Sequence, residues 1–297
     1  MRIAFATTGP EVLHGADRDR PLHEEAFARA GVDVDYRVWW DPGVEWDRYD
    51  LVVIRSTWDY VPRLTEYRHW LRAVDRLGTL RNPAALVEWN IDKRYLSELG
   101  AAGVPVIPTR IASSEEELSS VLAERGEHVV KPVVSAGSAD TGRFAPGDPG
   151  AVALGRRVLS RGVPVMVQPS VHSVATEGEI SAVLFGGTVS HSVRRGPVLA
   201  LGGGVHERND ETQVFAQELT ASQEQVVEMA IGAVRRIALE RLGVGAPLLY
   251  ARIDLVRADH GGDLVLEVEL NEPSFFLPAD DRAADRFVAD TIAQLEG

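Results

Sequence analysis

Residues 250–271 read YARIDLVRADHGGDLVLEVELN, two alternating runs on either side of Asp259-His260-Gly261-Gly262-Asp263. A Gly-Gly pair between strand patterns predicts a β-hairpin with a two-residue turn. That register sets Asp254 opposite Glu269 and Arg252 opposite Asn271. Side chains two apart share a sheet face, so Arg252, Asp254, Glu269 and Asn271 form one polar patch. Glu267 lies on the same face as a further ligand or as rim. Facing Cβ atoms are about 4.5–5.5 Å apart, and two carboxylates that close repel unless a cation or proton lies between them. Hard oxygen ligands of this kind suit Mg²⁺, which commonly takes one or two carboxylates with phosphate and water oxygens. A solvated polar sheet face would carry the same residues, and a bulge would change the register.

The pattern on the N-terminal side divides into two styles. Ile3–Thr7, Leu22–Ala30, Val32–Val38, Leu51–Ile54 and Pro62–Leu77 predict a β-α-β-β-α unit, a small parallel α/β domain ending near Pro83. A helix over Asn90–Ala102 carries Lys93, and Ser113 and Ser114 with Glu116 and Glu117 look like overlapping capping boxes for the next helix. A strand over His128–Val134 carries Lys131 and leads into the polar loop Ser135–Phe144. A helix over Asp148–Arg161 and a strand over Val163–Gln168 follow. Thereafter the chain reads as α+β. Glu179–Phe185 and Thr188–Val193 flank Gly186-Gly187, a second hairpin signal. Ser222 with Gln225 caps a helix through Leu242, and Asp281–Leu295 is a closing helix.

Composition excludes several function classes. The chain has 297 residues and a net charge of −13, which disfavours nucleic-acid and anionic-membrane partners. It has no cysteine, so disulfides, Cys nucleophiles and thiolate metal sites are absent. No apolar run approaches the ~20 residues of a membrane helix, and the start is too short in its apolar part for a signal peptide. The expected location is the cytoplasm. Of 31 basic residues only Lys93 and Lys131 are lysines. A lysine kept against that bias suggests a place where a compact ammonium fits and a planar guanidinium does not.

Three further features bear on chemistry. Lys131 precedes a loop of small residues, Ser135-Ala136-Gly137-Ser138, whose backbone N–H groups can approach an anion. An ordinary surface turn would look the same. Neither a Walker A sequence nor a GxGxxG fingerprint is present. Arg55-Ser56-Thr57-Trp58-Asp59-Tyr60 follows a buried strand, where open α/β sheets bind ligands, or where a loop scaffold sits. Arg194-Arg195 ends a strand and suits carboxylate or phosphate, or is surface charge. With no HExxH and no GxSxG, phosphate chemistry is the coherent remainder.

The ordered set resembles the ATP-grasp superfamily of carboxylate–amine ligases over most of the chain. The resemblance runs through Asn90-Ile91-Asp92-Lys93, Val129-Val130-Lys131-Pro132, the small-residue loop and Val165-Met166-Val167-Gln168-Pro169. It continues through Glu177-Gly178-Glu179-Ile180-Ser181, Arg252-Ile253-Asp254 and Glu269-Leu270-Asn271-Glu272-Pro273-Ser274. Within the superfamily the chain is similar to the D-cycloserine-forming cyclo-ligases, which close O-ureido-D-serine into a ring. Arg55–Tyr60, Ser135–Phe144 and Glu269–Phe276 carry that closer likeness.

The resemblance implies an ATP-grasp fold: an N-terminal α/β domain over 1–83, then subdomains over 84–172 and 173–297 that clasp ATP. It implies ATP and Mg²⁺ as cofactors and a small amino-acid-like substrate. By position, Lys93 and Lys131 would hold phosphates, and Ser135, Gly137 and Ser138 would cover them. Gln168 and Val171 would flank adenine, and Glu177 or Glu179 would reach the ribose. Arg252 would contact the transferring phosphate, while Arg194 or Arg195, with Asn271 and Ser274, would position an acyl phosphate. Asp254, Glu269 and Asn271 would hold Mg²⁺, and Arg55, Ser56, Thr57 and Asp59 would read the substrate. Gly202-Gly203-Gly204 would act as a lid. A ligase joining two separate molecules, and a nucleotide-binding module without catalysis, are the competing expectations.

Overall fold

Strands β1 (Arg2–Thr7), β2 (Asp33–Val38), β3 (Leu51–Ser56) and β4 (Leu80–Arg81) form a parallel sheet in the order β2-β1-β3-β4. They belong to a computed structural model that describes residues 1–13, 16–196, 201, 214–245 and 248–296. Helices α1 (Pro10–Leu13), α2 (Arg20–Arg29) and α3 (Leu64–Asp75) connect these strands. The continuous apolar run Leu51–Ile54 is fully buried, as a strand covered on both faces requires. The face of α3 that packs inward is Tyr67, Trp70, Leu71 and Val74.

Two antiparallel sheets follow. Helices α4 (Ala84–Ile91) and α5 (Tyr95–Ala101) lead into strand β5 (Arg110–Ala112), helix α6 (Glu115–Leu122) and strands β6 (His128–Pro132) and β7 (Gly142–Phe144). Helix α7 (Pro149–Leu159) and strand β8 (Val165–Pro169) complete a sheet ordered β5-β8-β6-β7. Then come α8 (His172–Thr176), β9 (Glu179–Phe185), β10 (Thr188–Arg195), β11 (Val214–Ala216) and α9 (Ala221–Leu242). The chain ends with β12 (Tyr250–Arg257), β13 (Asp263–Glu269) and α10 (Ala283–Glu296). This last sheet is ordered β11-β10-β9-β12-β13. Among the described residues no helix is long and apolar enough to cross a membrane.

Several local expectations are corrected. The helix expected over Asn90–Ala102 is broken between α4 and α5, and Lys93 sits in the break. The break has tertiary causes: Asn90 bonds the Val268 carbonyl and the Leu270 N–H, each at 2.7 Å, and the Lys93 N–H donates to the Val133 carbonyl at 2.8 Å. The box that caps α9 is Thr220 with Gln223, because Ser222 instead donates to Asp263 at 2.9 Å. Strands β4 and β5 were not expected; both are too short to show a period. Gly202-Gly203-Gly204 lies outside the described residues.

The register of the β12–β13 hairpin also differs. The turn closes with Ala258 N–H donating to the Gly262 carbonyl at 3.0 Å, so its loop has three residues rather than two. A bulge lies between Asp254 and Leu255, and the observed pairs are Asp254 with Glu267 and Arg252 with Glu269. The displacement is two residues, an even number, so the same side chains stay on the same face. The strand ends at Glu269, which leaves Asn271 just beyond it.

Polar side chains from earlier in the chain hold the segment after β13. Asp19 accepts from the N–H groups of Phe275 and Leu277 at 2.6 and 2.9 Å. Asn82 donates to the carbonyls of Tyr250 and Leu270, both at 3.0 Å, and accepts from Leu249 N–H at 2.9 Å. Tyr95 Oη meets both the carbonyl and the N–H of Val268. Each satisfies backbone groups that would otherwise be buried without partners.

Candidate active site

Period two on neighbouring strands assembles one charged face. Strand β10 contributes Arg195, β9 contributes Glu179 and Ser181, β12 contributes Arg252 and Asp254, and β13 contributes Glu267 and Glu269. Asp254 is its hub. Arg252 reaches it through Nε and Nη2, each at 3.0 Å, and Arg195 Nη2 reaches it at 2.8 Å. Ser181 Oγ donates to Asp254 at 2.6 Å and accepts from Arg195 Nε at 2.9 Å. Arg195 also pairs with Glu179 at 2.6 Å, and Arg252 pairs with Glu269 and donates to the Ser274 carbonyl at 3.3 Å.

The two lysines meet this face from outside its sheet. The break before α5 carries Lys93 onto Glu267. The Lys93 N–H bond to Val133 ties the break to the end of β6, the strand that carries Lys131. Both lysines are buried. Burial works against the Lys93 charge, but Glu267 outweighs it and holds the ammonium above its usual range. Lys131 lacks so close a partner; burial, with Lys93 adding, pulls it down to about 8 against the attraction of Glu267.

The carboxyls divide in the same way. Burial opposes the charge of Asp254, yet Arg195 and Arg252 hold it below the usual range. Glu267 is likewise low, with Lys93 and Lys131 overcoming burial. Burial pushes Glu269 up to about 7, helped by Glu267 and Asp254 and opposed by Arg252. Glu272 is pushed up to about 8 by burial and then by Glu269. Two carboxyls pushed up and a lysine pulled down mark a cluster whose charges an added cation and an added anion would both relieve. Asp254, Glu267 and Glu269 offer oxygens that all lie within 4.8 Å of one another, a donor set suited to a hard divalent cation. Asn271 Oδ1 accepts from Tyr67 Oη at 2.6 Å, while its Nδ2 is buried without a partner among the described residues.

Other expected residues lie differently. Alternation turns Arg194 away from Arg195: its guanidinium donates to the Glu177 carbonyl at 2.8 Å. The Glu177 side chain is exposed, 3.9 Å from Arg257. Gln168 is buried and donates to Thr109 Oγ1 at 2.9 Å, and Val171 packs with Ile107 and Val256 beside Leu264 and Leu266. Ser135 is buried, and the loop after it turns with Gly137, Ser138 and Asp140 at positive φ. Asp140 anchors that loop to Arg157 and Arg161 at 2.9 and 2.6 Å.

The groups expected to read substrate are bonded to the protein. Arg55 is buried, donates to the Pro273 carbonyl at 3.1 Å and lies 3.5 Å over the Phe275 ring. Ser56 donates to Asp17 at 2.7 Å, and Thr57 Oγ1 lies 3.1 Å from Tyr67 Oη. The Asp59 oxygens accept from the indoles of Trp39 and Trp40 at 2.7 and 2.8 Å. Sequence reading missed Ser181, which period two from Glu179 could have found, and Tyr67 and Glu272, for which no pattern exists.

Comparison with known proteins bears on this arrangement. Residues 3–82 match the family profile described as the N-terminal domain of the D-cycloserine synthetase DcsG. The cycloserine biosynthesis protein DcsG of Streptomyces lavendulae is 36% identical over 287 residues, covering 94% of each chain. The chain belongs to the DcsG family. The crystal structure of D-cycloserine synthetase DcsG superposes with a TM-score of 0.91 at 33% identity, covering 99% of this chain and 100% of that one. D-alanine–D-alanine ligase from Bacillus anthracis, solved with ATP, shares the ATP-grasp fold at a TM-score of 0.66 and 15% identity, over 100% and 97% of the two chains. This DcsG-family chain is therefore an ATP-dependent ligase with an ATP-grasp fold, and the charged face lies on its C-terminal sheet.

Proposed function

We propose that this ligase phosphorylates the carboxylate of O-ureido-D-serine with ATP and closes the ring to D-cycloserine. The observation that carries the reading is the buried face on which Arg195, Arg252 and Lys93 neutralise Asp254, Glu179, Glu267 and Glu269, with Lys131 beside them. Arginines and lysines held by carboxylates can exchange those partners for phosphate oxygens, leaving the carboxylates for a divalent cation. Asp254, Glu267, Glu269 and Asn271 are the residues that would hold Mg²⁺, which when bound screens charge on phosphoryl oxygens.

In this reading Lys93, Lys131 and the backbone of Ser135, Gly137 and Ser138 bind the nucleotide phosphates. Gln168, Val171 and Glu179 line its base and ribose. The substrate carboxylate attacks the γ-phosphorus and ADP departs; Arg252 and Arg195 stabilise the oxygens of the group in transfer. The substrate's own N–H, bonded to oxygen, then attacks the acyl carbon. Inorganic phosphate leaves, and water removes the carbamoyl group as ammonia and carbon dioxide. Side chains supply alignment and charge rather than a covalent intermediate.

Mass analysis after incubation with Mg-ATP and O-ureido-D-serine tests this. Cycloserine together with ADP is the expected result. No product there, with ADP released only when a separate amine and another carboxylate are supplied, would assign an intermolecular ligase instead.

A further inference from the structure

A chain of buried hydroxyls links the N-terminal sheet to Asn271. Thr57 Oγ1 lies 3.1 Å from Tyr67 Oη, and Tyr67 Oη lies 2.6 Å from Asn271 Oδ1. The other amide atom, Nδ2, is buried with no hydrogen-bond partner among the described residues. The same heavy atoms allow a second hydrogen-bond order. A half-turn of the amide exchanges its oxygen and nitrogen, because the two ends are nearly equal in size. Nδ2 then donates to Tyr67 Oη, and Tyr67 donates to Thr57 Oγ1. The orphaned donor is satisfied, and Oδ1 takes the position where Nδ2 found no acceptor among the described residues. An oxygen there can take a cation, which an N–H cannot.

We propose that Tyr67 and Thr57 are positioning residues that set the Asn271 amide with its oxygen toward the divalent cation. The inference rests on the reading of Asn271 as a metal ligand. Packing supports it, since the Tyr67 ring is stacked on Trp70 and lies edge-on to Trp39 at 5.0 Å, which fixes where its hydroxyl points. Partners of this kind orient ligands, and their loss commonly weakens metal binding about 10- to 100-fold.

The test uses the full chain with ADP and Mn²⁺, free Mn²⁺ being read by electron paramagnetic resonance. Tyr67→Phe keeps the ring and is expected to weaken Mn²⁺ binding about tenfold. The Mg²⁺ half-saturation for ADP release rises in parallel, and KM for the carboxylate substrate stays within about twofold. Asn271→Ala weakens Mn²⁺ binding, and adding Tyr67→Phe to it costs nothing further, since the two act through one group. Wild-type Mn²⁺ binding in Tyr67→Phe, with binding weakened in Asn271→Ala, overturns the positioning role. Wild-type binding in Asn271→Ala overturns the ligand reading beneath it. Thr57→Val, expected to weaken binding by about threefold or more, decides the matter should Tyr67→Phe lose its fold; unchanged binding there counts against the proposal.

Discussion

Two clusters of buried polar side chains meet near the end of β13, and they differ in how completely they are satisfied. At the end of β3, Asp59 accepts two indoles, Ser56 bonds Asp17, and Arg55 bonds Pro273 while covering Phe275. On and around the charged face of the C-terminal sheet the bonds are as numerous, yet Glu269 and, just beyond β13, Glu272 are pushed toward neutrality, and Lys131 of the neighbouring sheet is weakened. The first cluster has nearly all its partners among the described residues, Arg55 Nε being the exception within it, as expected of a scaffold. The second is electrostatically incomplete, as expected of a surface whose remaining partners arrive with a ligand.

The largest effect is expected where one guanidinium serves two carboxylates. Arg252→Lys retains the charge but cannot bridge Asp254 and Glu269 in the same planar geometry. ADP release, followed by a coupled assay, should fall about 10²- to 10³-fold, the scale of losing a donor to a developing charge. A fall below about threefold would place the charged face outside the reaction and erase the contrast.

Strand alternation gives the next effect. Arg195 belongs to the face and Arg194 to the opposite side, where its partner is a backbone carbonyl. Arg195→Lys should therefore cost at least about tenfold more turnover than Arg194→Lys. Equal losses would show that adjacency in sequence, rather than the face, decides which arginine matters.

Asp59 tests the satisfied cluster. Asp59→Asn removes the charge that both indoles share and retains one acceptor oxygen. A stability loss of about 1–3 kcal/mol is expected, which lowers Tm by several degrees in a scanning fluorimetry experiment. An unchanged Tm with a raised KM for the amino-acid substrate would instead move Asp59 from scaffold to substrate reader.

What was legible in the sequence follows from the range of the interaction. Alternation is local, so Arg252 with Asp254, and Glu267 with Glu269, could each be read as sharing a face, while joining the two pairs on one face depended on the parity of the register. The three-residue loop and the bulge changed the partners, but their offsets combined to an even shift and spared the face. The break at Lys93 was not legible, because its causes are Val133, Val268 and Leu270. Asp19 and Leu277 meet across 258 residues, and nothing in either neighbourhood signals the other. The same holds for Tyr67 and Asn271, where a helix of the first domain meets the residue just beyond β13.

The last contrast is a change in slope. The Glu272 carboxyl is raised to about 8 in the fold, while in the unfolded chain it titrates near 4.3. Between those values the folded state holds a proton that the unfolded state has released. Stability from this group is therefore full at low pH and is lost as pH rises toward and through 8. Glu272→Gln imitates the protonated form and cannot lose it. In the ligand-free protein the Tm of the variant should match that of the wild type near pH 5 and exceed it by pH 8–9. The slope of the Tm difference, rather than either value, is the readout, because other titrating groups cancel between the two proteins. A difference that stays flat across that range would mean that Glu272 is already ionised in the fold, and that its surroundings are more nearly satisfying than its burial implies.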